Sequence, residues 1–199
     1  METKMVRTIV ITAVLSALSI VFAVTSLGYI PWFGGISITI MHIPVILAAI
    51  LEGPVSGIIV GLVFGLTSLL KAATAPTGPV DILFVNPLVS VLPRLFIGIT
   101  AWLVFSAFKG KAKPVAVACS AFAGTAANTI LVLTLLWLTS AQKLAQAIGI
   151  DVSAVPKTLL GIAWANGLPE ALGSILIVLT VVLGYWGITK GKAKIAKEE

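Results

Sequence analysis

Six long apolar runs, separated by short breaks, limit what this chain can fold into. They cover residues 7–29, 39–52, 54–73, 82–108, 114–139 and 161–188. Since about 20 apolar residues cross a bilayer as a helix, little chain is left outside the membrane. Only 10% of the residues are charged, whereas soluble domains carry about 25%. The sequence therefore predicts one all-α membrane domain over residues 1–199, with six transmembrane helices, the second of them short.

The basic residues predict how these helices are oriented. If both termini are cytoplasmic, nine lysines and arginines lie on the cytoplasmic side of the membrane and three on the outer side, which follows the positive-inside rule. The inner set is Lys4, Arg7, Lys109, Lys111, Lys113, Lys190, Lys192, Lys194 and Lys197, and the outer set is Lys71, Lys143 and Lys157. Membrane topology thus explains most of the basic residues, and the net positive charge does not indicate a surface that binds nucleic acid. We expect cytoplasmic N and C termini, and a first run that is a spanning helix rather than a signal peptide.

A few polar residues interrupt the apolar runs. An ionised group at the bilayer centre costs at least about 2.5–3.5 kcal/mol, so it needs a partner or a watery cavity. In the predicted orientation Arg94 and Glu170 lie at similar depths, Glu170 about 15 Å below the outer end of its helix. The other polar groups lie in the middle or outer part of the membrane and are His42, Asn86, Asn128 and Asn166. Together they predict a polar pocket that opens outward.

The residue types indicate what this pocket binds. The guanidinium fork of Arg94 suits a carboxylate or phosphate, and asparagine side chains suit hydroxyl or amide groups. A small polar solute with an anionic group matches. In the alternative interpretation Arg94 and Glu170 form a structural pair, Asn86 caps a helix, and the other asparagines link helices. His42 fits an interfacial hydrogen-bonding residue better than a metal ligand, because the chain has no second histidine.

Two aromatic residues, Trp32 and Phe33, follow the first apolar run. They either cover the pocket or anchor a loop at the membrane interface. The sequence contains no recognisable phosphate-binding loop, metal-binding cluster or activated nucleophile. We therefore expect a protein that is not an enzyme and uses no metal or cofactor. Uphill movement of a solute would then need an ion gradient or other subunits.

Several motifs, spread over essentially the whole chain, resemble the substrate-binding S components of energy-coupling factor (ECF) vitamin transporters. They are Ala13-x-x-x-Ala17, the stretch from His42-Ile43-Pro44-Val45 to Glu52-Gly53-Pro54, the glycines Gly57, Gly61 and Gly65, and Asn86-Pro87 to Pro93-Arg94. The glycine spacing also favours close packing of another helix. The resemblance implies a multi-pass cell-membrane protein that captures a vitamin or precursor from outside.

The resemblance also implies partners and residue roles. Family members join a transmembrane coupling subunit and two cytoplasmic ATPases, and topple in the membrane to release solute inside. Ala13 and Ala17 match the family's docking face, and Trp32 and Phe33 lie where the family has its substrate lid. The pattern is most similar to the pantothenate type, in which Arg94 would bind the carboxylate.

Three alternatives to a pantothenate S component stay open from the sequence. The first is an S component for hydroxymethylpyrimidine or another vitamin, since a pyrimidine would prefer stacking aromatics and a carboxylate such as Glu170. The second is a self-sufficient ion-coupled carrier or channel. The third is a structural membrane scaffold whose polar residues only hold helices together.

Overall fold

A computed structural model describes residues 2–25, 28–31, 37–76, 78–108 and 112–195. Its helices are α1 (Glu2–Val24), α2 (Ile43–Glu52), α3 (Pro54–Thr74), α4 (Pro87–Ser90), α5 (Leu92–Ala107), α6 (Lys113–Ile148) and α7 (Val155–Ile195). Strands β1 (Tyr29–Pro31) and β2 (Ser37–Thr39) form an antiparallel hairpin between α1 and α2. Short 3₁₀ helices occupy Asp81–Val85 and Val152–Ala154. The fold is helical, as predicted, apart from the small hairpin.

Five helical elements are long and apolar enough to cross a membrane: Thr3–Val24, Pro54–Thr74, Pro87–Ala107, Lys113–Ile148 and Val152–Thr189. The predicted second span is the exception. Its residues 39–52 contribute only the ten-residue helix α2, which is about 15 Å long, whereas the hydrocarbon core is about 30 Å thick. With α4 and α5 taken as one broken helix, the described ranges contain six helices, five of which are candidate spans.

The last two helices are longer than their apolar runs predicted. Helix α6 continues beyond residue 139 to Ile148, through a kink at Ser140, and α7 begins at Val155 instead of 161. The added turns contribute Leu144, Val155 and Leu159 to an apolar cluster. Hydropathy missed these turns because polar residues are mixed into them, while packing against neighbouring helices makes them helical.

Helix α2 lies at the centre of the bundle. Its residues from Ile43 to Ile50 are all buried, and it contacts α1, α3, α5, α6 and α7. A helix that is apolar on every side needs such surroundings. Because α2 is both short and central, the residue that precedes it, His42, lies inside the bundle with 1% of its surface exposed.

Glycines bring α3 and α5 into backbone contact. A Cβ atom on Gly98 would lie 2.6 Å from the carbonyl carbon of Gly57, and Gly61 faces the backbone carbonyl of Arg94. A Cβ on Gly65 would lie 2.7 Å from the Cα of Val91. The glycine stripe is therefore an internal packing surface, as small residues allow in membrane helices. It presses α3 against the turn of α5 that carries Arg94.

A polar cluster joins the start of α1 to the end of α2. The Arg7 Nε and Glu52 Oε1 atoms are 3.1 Å apart, and the Glu52 carboxylate is buried. The Thr8 hydroxyl donates to Glu52 Oε2 at 2.6 Å. These contacts place the beginning of α1 and the α2–α3 turn at the same end of the bundle. The charge pattern predicts that this end is cytoplasmic, and that orientation stays a prediction.

We expect Gly98→Ala to destabilise the protein. The added methyl group would meet the Gly57 backbone, which cannot move aside as a flexible side chain would, and overpacking of this kind costs about 1–3 kcal/mol. Gly184→Ala is the matched control, because nothing lies within 4 Å of a Cβ at that helical position and alanine is the better helix former by up to about 1 kcal/mol. Thermal unfolding in detergent should show a lower midpoint for Gly98→Ala only. Equal midpoints for the two variants would contradict the backbone contact.

Candidate functional site

The position of Arg94 follows from the proline that precedes it. Pro93 has no backbone N–H, so it cannot donate to the carbonyl of Val89 four residues earlier, as a helix would require. The guanidinium of Arg94 donates to that carbonyl instead, with Arg94 Nη1 2.7 Å from the Val89 oxygen. The Pro-Arg pair therefore breaks the helix between α4 and α5 and folds the arginine side chain back over the break.

Two aromatic rings lie beside Arg94. Its Cζ atom lies 5.1 Å from the ring centroid of Phe64 on α3 and 5.4 Å from that of Phe84. Both distances fall within the range of cation–π attraction. Arg94 is 6% exposed, so a cation is held in a nearly dry environment by a carbonyl and two ring faces. An anion that reached this position would meet a preorganised positive charge.

Glu170 of α7 is engaged with the hairpin. Its Oε1 atom accepts a hydrogen bond from the backbone amide of Thr39, at 2.7 Å. The carboxylate is also close enough to Arg94 for an electrostatic interaction between the two side chains. Glu170 thus connects α7, the end of β2 and the Arg94 region in a buried site. The backbone partner was not predictable, because a main-chain amide leaves no signal in the residue type.

His42 follows the hairpin in the chain and immediately precedes α2. Both ring nitrogens are buried and have no hydrogen-bond partner within the described part of the chain. Arg94 is near enough to act on the ring electrostatically. The described residues contain no group of three potential metal ligands. A buried imidazole with both nitrogens unsatisfied is costly, unless a solute supplies the missing hydrogen bonds.

Two asparagines face the interior from α6 and α7. Asn128 and Asn166 are each 7% exposed, and α6 and α7 touch beside them, since a Cβ on Gly167 would lie 3.4 Å from the Thr129 side chain. Asn128 Oδ1 has no hydrogen-bond partner in the ranges the structure describes. A buried amide oxygen without a partner fits a site that binds hydroxyl or amide groups.

Ser174 is a polar residue that the sequence reasoning missed. It lies one helical turn after Glu170 on α7 and is 1% exposed. Its hydroxyl has no hydrogen-bond partner among the described residues. The signal was present in the sequence, because Asn166, Glu170 and Ser174 recur every four residues and share one helix face. A serine is too common in membrane helices for this spacing to have singled it out.

Of three further predicted site residues, one caps a helix and two lie outside the described residues. The Asn86 side-chain oxygen accepts a hydrogen bond from the Leu88 amide at 3.0 Å and caps α4, which is the alternative role that the sequence allowed. Trp32 and Phe33 lie outside the described residues. Their predicted role in covering the pocket stays a prediction.

Ala13 and Ala17 lie on the exposed side of α1. The buried side of the same helix faces α3, where the Thr12 hydroxyl donates to the Ser56 hydroxyl at 2.9 Å. Neighbouring residues on the exposed side, such as Val10 and Val14, are apolar. The two alanines therefore form part of a smooth apolar face that another membrane helix could approach closely.

An apolar groove of about 300 Å³ lies between α6 and α7, away from these polar groups. It is lined by Ile130, Leu133, Thr134, Trp137, Pro156, Leu159, Leu160 and Ala163. Apart from the Thr134 hydroxyl and the indole of Trp137, the side chains that line it are apolar, and it shares no residue with the Arg94 cluster. The candidate site is therefore the polar cluster and not this groove.

Buried polar groups converging from several helices of an apolar bundle define a solute-binding membrane subunit. The family described as "ECF transporter, substrate-specific component" matches residues 7–182, and the chain belongs to this family. It is therefore an integral membrane protein and a subunit of a transporter, not an enzyme, and it works with an ECF energising module. The chain is also similar to the pantothenic acid transporter PanT of Lactococcus lactis subsp. cremoris (strain MG1363). The two are 29% identical over 158 residues, which make up 72% of this chain and 75% of PanT.

We expect Asn86→Ala to destabilise the solute-free protein. The substitution removes the cap of α4, which costs about 1 kcal/mol and should lower the unfolding midpoint by about 2–4 °C. Asn128→Ala is the control, because Asn128 Oδ1 accepts no hydrogen bond in the described structure and its loss removes less. Thermal unfolding of both variants without solute checks the difference. A larger loss in Asn128→Ala would show that Asn128 is the structural residue of the two.

Proposed function

We propose that this chain is the subunit that captures pantothenate for an ECF importer. The observation that carries the proposal is the buried Arg94 guanidinium, held by the Val89 carbonyl and two aromatic rings beside unsatisfied polar groups. The similarity to PanT supports the same solute. Arg94 binds the carboxylate, because a charge-assisted pair in a dry site is the strongest polar contact that this cluster offers.

The remaining polar groups match the rest of pantothenate. This molecule carries one amide and two hydroxyl groups besides its carboxylate. Asn128 and Asn166 can each donate and accept hydrogen bonds, and neutral His42 offers one donor and one acceptor nitrogen. Solute binding would satisfy Asn128 Oδ1 and the His42 ring, which have no partner within the described residues. Trp32 and Phe33 cover the bound solute from the segment between the two strands.

Delivery of the solute follows from the proposed orientation. With both termini cytoplasmic, the Arg94 cluster lies in the middle-to-outer part of the membrane and receives solute from outside. The exposed Ala13–Ala17 face of α1 docks on a transmembrane coupling subunit, and two cytoplasmic ATPases drive toppling of the loaded subunit. The apolar face of α1 supports this role because close helix contact needs small side chains.

We expect Arg94→Ala to weaken pantothenate binding by about 30-fold or more, because losing one partner of a buried charge pair costs at least about 2 kcal/mol. Binding of pantothenol, which has an alcohol in place of the carboxylate, should change much less. Isothermal titration of purified protein measures both ligands. Arg7→Ala is the control, since it removes the same charge at the end of α2 that carries Glu52, opposite to the end that begins at His42 beside Arg94, and should leave both affinities unchanged.

Two results of this titration would contradict the proposal. Undiminished pantothenate affinity in Arg94→Ala would remove Arg94 from the site. Tighter binding of hydroxymethylpyrimidine than of pantothenate to the native protein would assign the subunit to a different vitamin.

We expect Ala17→Leu to reduce assembly with the energising module while pantothenate affinity stays within about twofold of native. The added side chain would hold the partner helix away from α1, since close approach depends on small residues. Co-purification with the coupling subunit and ATPases measures assembly. Ala73→Leu, at an exposed position in the last turn of α3, is the matched control. Normal assembly of Ala17→Leu would rule out this face of α1 as the docking surface.

A further inference from the structure

We propose that Glu170 is a positioning residue that holds the β1–β2 hairpin against α7 and thereby slows solute release, instead of binding the solute itself. This inference rests on the proposed function, because it concerns the same site. It assigns Glu170 a different role from the one that its depth in the membrane predicted.

The hydrogen-bond pattern of the hairpin leaves the Thr39 amide available to α7. Ile40 donates its backbone N–H to the carbonyl of Gly28 at 3.1 Å, across the hairpin. Consecutive amides of an extended strand point to opposite edges, so the N–H of Thr39, one residue earlier, points away from β1. Its acceptor is Glu170 Oε1 at 2.7 Å. The carboxylate thus occupies the place that a third strand would take at this open edge.

Neither partner of this bond is easily satisfied elsewhere. A strand-edge amide that loses its acceptor in an apolar environment is destabilising, and a buried carboxylate needs hydrogen-bond donors. Glu170 is 9% exposed, so water is a poor substitute for the Thr39 amide. This bond joins two distant parts of the chain, because Thr39 and Glu170 are 131 residues apart.

The bond also limits how far Glu170 competes with an anionic solute. A carboxylate that was free to turn toward Arg94 would compete with an incoming carboxylate for the guanidinium. A charge-assisted bond to the Thr39 amide fixes one oxygen of Glu170 on the hairpin. Asn166 lies one turn earlier on the same helix, so α7 presents one polar residue to the solute and the next to the hairpin.

The test combines four variants of the full-length protein: Glu170→Ala, Glu170→Gln, Thr39→Pro and the double variant Glu170→Ala/Thr39→Pro. Proline at position 39 removes both Thr39 groups that contact the Glu170 carboxylate, the N–H and the hydroxyl, but spares the ladder, because that amide points away from β1, and edge positions of this kind accept proline. Glutamine keeps an oxygen that can accept from the Thr39 amide. Thr180→Ala, at an exposed position on α7, is the control.

Two measurements are made on each variant. Hydrogen exchange followed by mass spectrometry reports opening of residues 28–40 in the solute-free protein, and release of radiolabelled pantothenate reports the dissociation rate. Glu170→Ala and Thr39→Pro should each accelerate both by about tenfold or more, as expected for loss of a hydrogen bond to a charged group. The double variant should match the single variants, and Glu170→Gln should lie closer to native.

The outcomes separate this inference from the proposed function. Faster release from Glu170→Ala with unchanged hairpin exchange, and no rescue by glutamine, would make Glu170 a solute ligand and overturn the positioning role. Additive effects in the double variant would overturn it as well, because the two residues would then act independently. Faster hairpin exchange in a protein that binds no pantothenate would reject the proposed solute and leave the Glu170–Thr39 contact supported.

Discussion

The rest of the site depends on how the bundle holds the guanidinium of Arg94 away from water. A charge at this depth is tolerated only if protein groups replace its hydration shell. Pro93 supplies one of these groups indirectly, since its missing N–H leaves the Val89 carbonyl to the guanidinium. Phe64 and Phe84 add their ring faces. A helix break, which would weaken an ordinary span, here provides the acceptor that a buried cation needs.

Close packing of small residues makes this arrangement possible. The Gly57–Gly98 and Gly61–Arg94 backbone contacts bring α3 against α5, so Phe64 lies within reach of the Arg94 side chain. Helix α2, buried from Ile43 to Ile50, fills the centre, and His42 lies inside the bundle at its N-terminal end. The strand β2 that precedes α2 contacts α7. Thr39 can therefore reach Glu170 on the last helix.

Much of the site was predictable because membranes penalise polar residues. Arg94, Glu170, Asn128, Asn166 and His42 stand out among apolar neighbours, and the structure buries all five. Their roles were harder to predict. Asn86 is next to a proline, so that capping and solute binding were both consistent with it, and the structure uses its oxygen as a cap. The hairpin was not predicted, because two three-residue strands are too short to leave a pattern that distinguishes them from a loop.

The sequence by itself determined the class of protein, a bundle of apolar helices with a few polar residues, because hydropathy and charge act locally and can be recognised one segment at a time. It also predicted the glycine face of α3, which the structure packs against α5. Only the tertiary structure decided which partners satisfy the buried polar groups. The Val89 carbonyl and the Thr39 amide are main-chain groups. Every residue has such a carbonyl, and every residue except proline has such an amide N–H. Which of them meets Arg94 or Glu170 depends on the helix break, the short central helix and the packing of α7, and not on residue type.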